Sequence, residues 1–242
     1  MYGDFSYIYD KLMTADYKRW LDYYKRIFKK FGSSPKLVLD LGCGTGKLCS
    51  MMADEGFDVI GLDASPEMLS IAKGRRPELL FINMDMTDFE LYGTVDAAVS
   101  SLDCVNYIDS GEGIFKMFKL LENYLNPGGL FIFDINTKYK LSKVLGSNTF
   151  VSDDENIFLV WENDFFDNTA TFDLTFFVKE NDSYKRYGEI QHQYAYGTGE
   201  LKALARRAGL EVLGVYDEFS FNAPMRDSER LFFVLGKKES IF

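Results

Sequence analysis

Between residues 36 and 135 short apolar runs alternate with stretches of helical spacing, a strand–helix unit without internal sequence repeats. The runs are Lys36–Leu41, Asp58–Leu62, Leu79–Asn83, Val95–Ser100 and Leu130–Ile135. They are apolar along their length rather than at alternate positions, the mark of strands buried on both faces. Strands of that kind joined through helices form a parallel sheet, so the pattern predicts an α/β fold. The intervening segments carry helix signals. Ser65-Pro66-Glu67 supplies a capping hydroxyl, a proline whose φ suits a first turn, and a carboxylate that complements the helix dipole. Ile114, Met117, Phe118, Leu121 and Leu125 share one helical face, which Asn126-Pro127-Gly128-Gly129 ends. Lys47–Glu55 reads as a further helix.

Two regions depart from this unit. Residues 14 to 31 form an amphipathic helix through Tyr17, Trp20, Leu21, Tyr24, Ile27, Phe28 and Phe31, stopped by Gly32-Ser33-Ser34-Pro35. From about residue 150 a period of two appears in Phe172, Leu174, Phe176 and Val178, with turns at Asp167-Asn168-Thr169 and Asn181-Asp182-Ser183. That stretch reads as antiparallel strands inserted into the α/β unit. A helix at Thr198–Ala208 and strands at Leu210–Phe219 and Arg230–Lys237 resume it. The expected organisation is a helical cap over 1–34, an α/β domain over 35–147 and 197–242, and an inserted β lobe over 148–196.

Composition narrows the partners. The net charge of −10 argues against wrapping a nucleic-acid backbone, since each phosphate contact requires Lys or Arg. Cys43, Cys49 and Cys104 form no C-x-x-C pair, and no His/Cys/Asp cluster has metal-ligand spacing, so neither a disulfide framework nor a metal site is expected. The first residues lack a basic start and an apolar core, and no run approaches the roughly 18 residues of a membrane span. A cytosolic, cytoplasmic chain, monomer or homodimer, is the expectation.

The turn Val38-Leu39-Asp40-Leu41-Gly42-Cys43-Gly44-Thr45-Gly46 sits between a strand and a helix. Its three alternate glycines remove every Cβ that would hold a ligand off the main chain. Open α/β sheets bind ligands at this end of their strands. Asp63 ends the second strand, where it can accept both hydroxyls of a ribose or cap a turn. Asp85 ends the third, where it can accept from an adenine amino group, and Met86 can pack on the ring or belong to the core. Together these tips describe a site for a nucleoside with a short polar tail.

These residues resemble the class I S-adenosylmethionine-dependent methyltransferases. Leu39-Asp40-Leu41-Gly42-Cys43-Gly44-Thr45-Gly46 is similar to their first motif, Asp63 to their ribose-binding acid, and Met84-Asp85-Met86 to their adenine-contacting stretch. Leu125-Asn126-Pro127-Gly128-Gly129-Leu130 resembles their turn before strand five, and Arg230–Lys237 their reversed seventh strand. Tyr7-Ile8-Tyr9-Asp10, Trp20, Phe133-Asp134-Ile135-Asn136 and Trp161-Glu162-Asn163 resemble a group of small bacterial methyltransferases with a β-rich lobe.

The resemblance implies a doubly wound, mostly parallel, seven-stranded Rossmann-like sheet with an inserted antiparallel β lobe, and S-adenosyl-L-methionine as cofactor. It implies a cofactor site of Asp40, Gly42, Gly44, Gly46, Asp63, Ala64, Met68, Asp85, Met86, Leu102 and Asp103. Asp40 would help hold the ammonium group and Leu102 would pack on the adenine or ribose. Tyr9 and Trp20 would either close over the methionine end or form aromatic core.

The expected activity is methyl transfer to an oxygen or nitrogen of a small-molecule acceptor. Acceptor-side candidates are Tyr7, Asn106, Tyr107 and His192. Asp103 can equally cap a helix, and His192, the only histidine, can equally be a core residue. A nicotinamide-dependent dehydrogenase is the weaker alternative, because Lys47 stands where Gly-x-Gly-x-x-Gly has its third glycine. A non-catalytic cofactor-binding protein is the other. An enclosed pocket against the lobe favours catalysis, and a closed apolar interface there favours binding alone.

Overall fold

A computed structural model describes residues 15–238 of the chain. The expectations for Tyr7 and Tyr9, and for the start of the helical cap, lie outside the described residues. Helix α1 (Tyr17–Lys30) begins at Asp16, whose carboxylate accepts from the Arg19 amide at 3.2 Å. Lys29 and Lys30 complement the dipole at its end. Trp20, Leu21, Tyr23, Tyr24, Ile27 and Phe28 turn inward from it and pack with Val38, Val59, Val99 and Ile132 on one face of a sheet.

That sheet contains β1 (Leu37–Leu41), β2 (Asp58–Asp63), β3 (Leu80–Asn83), β4 (Val95–Ser100), β5 (Leu125–Asn136), β10 (Leu210–Asp217) and β11 (Arg230–Lys237). Helices α2 (Lys47–Asp54), α3 (Pro66–Arg75), α4 (Gly111–Tyr124) and α5 (Thr198–Ala208) connect and cover it. The strand order is β10-β11-β5-β4-β1-β2-β3. β11 runs antiparallel to both neighbours and the other pairs are parallel. The chain winds outward from β1 through β2 to β3, then returns to β4 on the other side of β1. The crevice at the carboxyl ends of β1 and β4 is therefore the topological switch point, where sheets of this kind take ligands. The opposite face buries Ile114, Met117, Phe118 and Leu121 of α4 against Phe131 and Phe133.

β5 begins five residues before the expected Leu130. Leu125 already pairs with Val95, and the register shifts before Ala97 meets Leu130. Pro127 and Gly128 thus interrupt a strand rather than precede one, and the helix before them ends at Tyr124.

After β5 the chain makes a π-helical turn at Lys140–Leu145, which no residue pattern announces. It then enters a second sheet of β6 (Thr149–Asp153), β7 (Ile157–Phe166), β8 (Thr169–Glu180) and β9 (Ser183–Tyr194), antiparallel and in sequence order. Asp167 and Asn168 both have positive φ, 46° and 61°, as a two-residue hairpin turn requires. Cross-strand register places Trp161 beside Leu174, Leu159 beside Phe176, and Phe172 beside Gln191 on one face of this lobe. That face looks onto the carboxyl edge of the large sheet. Leu141 and Leu145 of the π turn pack under it with Ala170 and Phe172.

Candidate active site

The three glycines after β1 all have positive φ: 74° at Gly42, 53° at Gly44 and 70° at Gly46. Their missing Cβ atoms serve different ends, which corrects the uniform role expected of them. At Gly42 a Cβ would stand 2.8 Å from Cys104 Sγ, and at Gly46 2.9 Å from the Ala72 Cβ. Those two glycines let the protein pack on itself. At Gly44 a Cβ would meet nothing within 4 Å, so only that glycine opens bare main chain to free space.

Asp63 ends β2 beside this turn. Its Oδ2 accepts from the Gly44 amide and its Oδ1 from the Ser65 amide, each at 2.8 Å. Burial pushes its carboxyl above the usual range, opposed by the amides of Ser65, Gly44 and Ala64. The bond from the Ser65 amide caps the turn after β2, the other role expected of Asp63, while the cap of α3 is Ser65, whose hydroxyl accepts from the Met68 amide at 3.2 Å. The remaining lone pairs of Asp63 can accept a pair of hydroxyls. Beyond β3, Asp85 Oδ1 accepts from the Thr87 amide at 2.7 Å and hydroxyl at 2.6 Å, which fixes the carboxylate beside Met86. Asp40 lies behind the turn, 1% exposed, and its Oδ2 accepts from the Cys49 thiol at 3.2 Å. Burial pushes its carboxyl up to about 7.

After β4, Leu102 and Asp103 both adopt left-handed backbone, with φ of 59° and 55°. Conformations of this kind cost about 1–3 kcal/mol each and persist only when the surroundings hold them. The holder is Asp134 on β5, fully buried. Its Oδ1 accepts from the Leu102 amide at 2.9 Å and the Trp20 indole at 3.1 Å, and its Oδ2 from the Asp103 amide at 3.0 Å and the Arg230 guanidinium. Arg230, at the start of β11, also pairs with Asp103 at 2.7 Å. Burial alone would lower its pKa, and the carboxylates of Asp134 and Asp103 raise it instead. Two open alternatives narrow here. Trp20 takes the core role of the two expected of it, buried with its indole donating to Asp134. Asp103 precedes a short 3-10 turn (Cys104–Tyr107) but its side chain makes no capping bond, being held by Arg230 and by the Gln193 amide.

The lobe is joined to this edge by polar side chains. Asn106 is fully buried. Its Nδ2 donates to the Asn136 and Tyr194 carbonyls at 3.1 and 3.0 Å, and its Oδ1 accepts from the Asn136 amide at 2.9 Å. Its hydrogen-bonding capacity is spent on backbone, which corrects its placement on the acceptor side. Tyr107 does reach the cavity wall, and its hydroxyl donates to Gln191 Oε1 at 2.9 Å. His192 borders the rim, but strand alternation puts its ring on the face opposite Gln191 and Gln193. There it is exposed and meets the Thr171 hydroxyl at 3.1 Å, beside the exposed Ile190. The expectation that His192 meets an acceptor is therefore corrected. Asp134, Asn136, Lys140, Gln193 and Arg230 were not singled out from the sequence, although Asp134 and Asn136 fell within a quoted motif.

Gly42, Asp63, Ala64, Asp85, Met86, Leu102, Asp103 and Tyr107 line one cavity of about 950 Å³. It continues to Leu159, Trp161, Phe172, Leu174, Phe176 and Gln191 on the inner face of the lobe. Gly46, Asp40 and Met68 do not line it, and Gly44 opens onto free space beside it. One end thus offers carboxylates at strand tips, and the other an aromatic chamber. Among the described residues, no group of three or more His, Cys, Asp or Glu could hold a metal, and no helix is long and apolar enough to cross a membrane.

The model of a methyltransferase domain matches residues 38–129. A chain of Geobacillus sp. (strain WCH70) named as a methyltransferase is 34% identical, over 98% of this chain and 99% of that one. YqeM of Bacillus subtilis (strain 168), also named as a methyltransferase, is 31% identical over 100% and 99%. The crystal structure of an S-adenosylmethionine-dependent methyltransferase from Clostridium acetobutylicum ATCC 824 superposes with a TM-score of 0.90 at 32% identity, covering 98% of this chain and 99% of that one.

Proposed function

The chain belongs to the S-adenosylmethionine-dependent methyltransferases, and we propose that it methylates an oxygen or nitrogen of a small molecule held between its two sheets. The observation that carries this reading is the continuity of the cavity. The strand-tip carboxylates and the aromatic chamber of the lobe line one continuous cleft of about 950 Å³. A protein that only bound a nucleoside would have no use for the second half.

The residues present fit the cofactor. Gly44 leaves open space against main chain, as close approach of a ligand needs. Asp63 would accept the ribose hydroxyls, Asp85 the adenine amino group, and Met86 and Leu102 would cover the base. Asp40 would favour the ammonium from behind the turn, as a buried carboxyl that gains by ionising next to a cation. When bound, S-adenosylmethionine supplies an electrophilic methyl group, so the demanding chemistry belongs to the cofactor.

What the chain contributes is placement. The Asp134 clamp holds Leu102 and Asp103 where the nucleoside end meets the acceptor end, and a rigid wall keeps reacting partners in line. Leu159, Trp161, Phe172, Leu174 and Phe176 exclude water from the acceptor side. Tyr107, fixed by Gln191, is the hydroxyl placed to orient an acceptor. A base is required only for an acceptor that arrives protonated.

The test is transfer of labelled methyl from S-adenosylmethionine into fractionated metabolite pools, with Asp63→Ala as control. Label entering a small-molecule fraction with the native chain and not with the variant supports the reading. Label entering only nucleic acid or protein, or none at all, would remove it.

A further inference from the structure

The charges on the cavity wall are separated. Asp63 and Asp85 lie at the tips of β2 and β3, and both cations, Lys140 and Arg230, lie at the β5–β11 end with Asp103. Arg230 is spent on Asp134 and Asp103, with Glu218 3.7 Å from its Nε. Lys140 is not. Its Nζ donates to the Asn136 amide oxygen at 3.0 Å, and among the described residues it makes no ion pair.

The orientation of that amide is fixed. Asn136 Nδ2 donates to Gln193 Oε1 at 2.9 Å, and Gln193 Nε2 donates onward to Asp103 at 2.5 Å. Asn136 must therefore present oxygen to Lys140. An ammonium carries three N–H donors, so this neutral contact leaves two for the cavity. Burial, and then the Arg230 charge, lower the Lys140 pKa, while Asp103, Glu229 and Glu218 pull it up. A largely buried ammonium with one neutral partner is costly unless an anion completes its shell. The neighbouring wall of Leu145, Leu159, Trp161 and Phe172 excludes water and would strengthen such a pairing.

We propose that Lys140 binds an oxyanion, a carboxylate or a phosphate, carried by the methyl acceptor. The proposal rests on the reading of this cavity as an acceptor site. It places the anionic group of the acceptor at the Lys140–Asn136–Gln193 corner and its body against the aromatic face of the lobe.

The chain has two tryptophans, of which Trp161 lines the cavity, so its indole N–H resonance reports what enters the lobe end. The resonance is assigned with Trp161→Phe. The native chain, with and without S-adenosylhomocysteine, is titrated at constant ionic strength with inorganic phosphate, with acetate, and with acetamide as neutral isostere. The expected result is a saturable shift with phosphate or acetate and none with acetamide. The preferred anion identifies the group. Lys140→Gln should weaken that binding by about tenfold or more, and Lys140→Arg should retain most of it. Acetamide matching acetate, Lys140→Gln binding like the native chain, or the absence of any saturable shift would overturn the proposal. The acetate–acetamide comparison needs no variant, so misfolding of Lys140→Gln would not shield it. Oxyanion binding without methyl transfer to any pool would remove the function and keep this site. Transfer to an acceptor without oxyanion binding would do the reverse.

Discussion

The Gly44 amide donates to the Asp63 carboxylate at 2.8 Å, which ties the turn after the first strand to the tip of the second. The glycine that exposes main chain and the acid proposed to hold a ribose are therefore one unit. Displacing either should disturb the same end of the cofactor.

The contrast between two glycines tests this. Gly44→Ala places a methyl group in open space at a φ of 53°, so the fold should lose only about 1 kcal/mol. S-adenosylhomocysteine affinity should nevertheless fall by about tenfold or more, because that space is where the proposed site brings the ligand against backbone. Gly46→Ala drives a methyl group into Ala72 and Phe81 and should lower the melting temperature further. Calorimetric titration paired with thermal denaturation separates the two effects.

Asp40 makes stability depend on pH. Its carboxyl sits at about 7 in the folded chain, against about 3.9 for an exposed Asp. Between these values the folded chain keeps a proton that the unfolded chain has lost. The stabilising contribution is full below about pH 4 and is lost as pH rises toward 7. Asp40→Asn cannot ionise. The native melting temperature should therefore decline relative to that of Asp40→Asn between pH 5 and pH 8, and a constant difference would contradict the assignment.

Asp134→Asn should damage the site from beneath. The amides of Leu102 and Asp103 and the buried Arg230 share that carboxylate, and breaking a buried pair of this kind costs about 3–5 kcal/mol. Urea denaturation should show the loss, and cofactor affinity should fall as the two left-handed residues relax. A variant with native stability and affinity would mean that the loop holds its own shape.

Tyr107 and His192 separate the two faces of β9. Tyr107→Phe removes a hydroxyl held at 2.9 Å by Gln191 in the cavity wall, and should lower kcat/KM by about tenfold. His192→Ala removes an exposed ring and should change methyl transfer by less than about twofold. The opposite ranking would show that the strand turns the other way in solution.

The large sheet was legible because burial on both faces leaves apolar runs such as Val95–Ser100 and Leu130–Ile135 with little ambiguity. The lobe was legible from alternation and from Asp167-Asn168, which tolerate positive φ. Its parity was not. The inner face of β9 carries Gln191 and Gln193 while the outer face carries Ile190, so polarity pointed the wrong way for His192. Asn106 looked reactive because it is polar and near a strand tip, but buried carbonyls of Asn136 and Tyr194 needed its donors. The clamp was invisible for a different reason. Asp134 is 114 residues from Trp20 and 96 from Arg230, and no local pattern records a pairing across such distances.

Calorimetric titration of the native chain and of Asp63→Ala with S-adenosylhomocysteine asks whether an adenosyl ligand lies across the tips of β1, β2 and β3. Saturable one-to-one binding to the native chain and a loss of at least about tenfold in the variant are expected, with no comparable binding of NAD. Equal affinity in both chains, or tight NAD binding with none of S-adenosylhomocysteine, would contradict that placement.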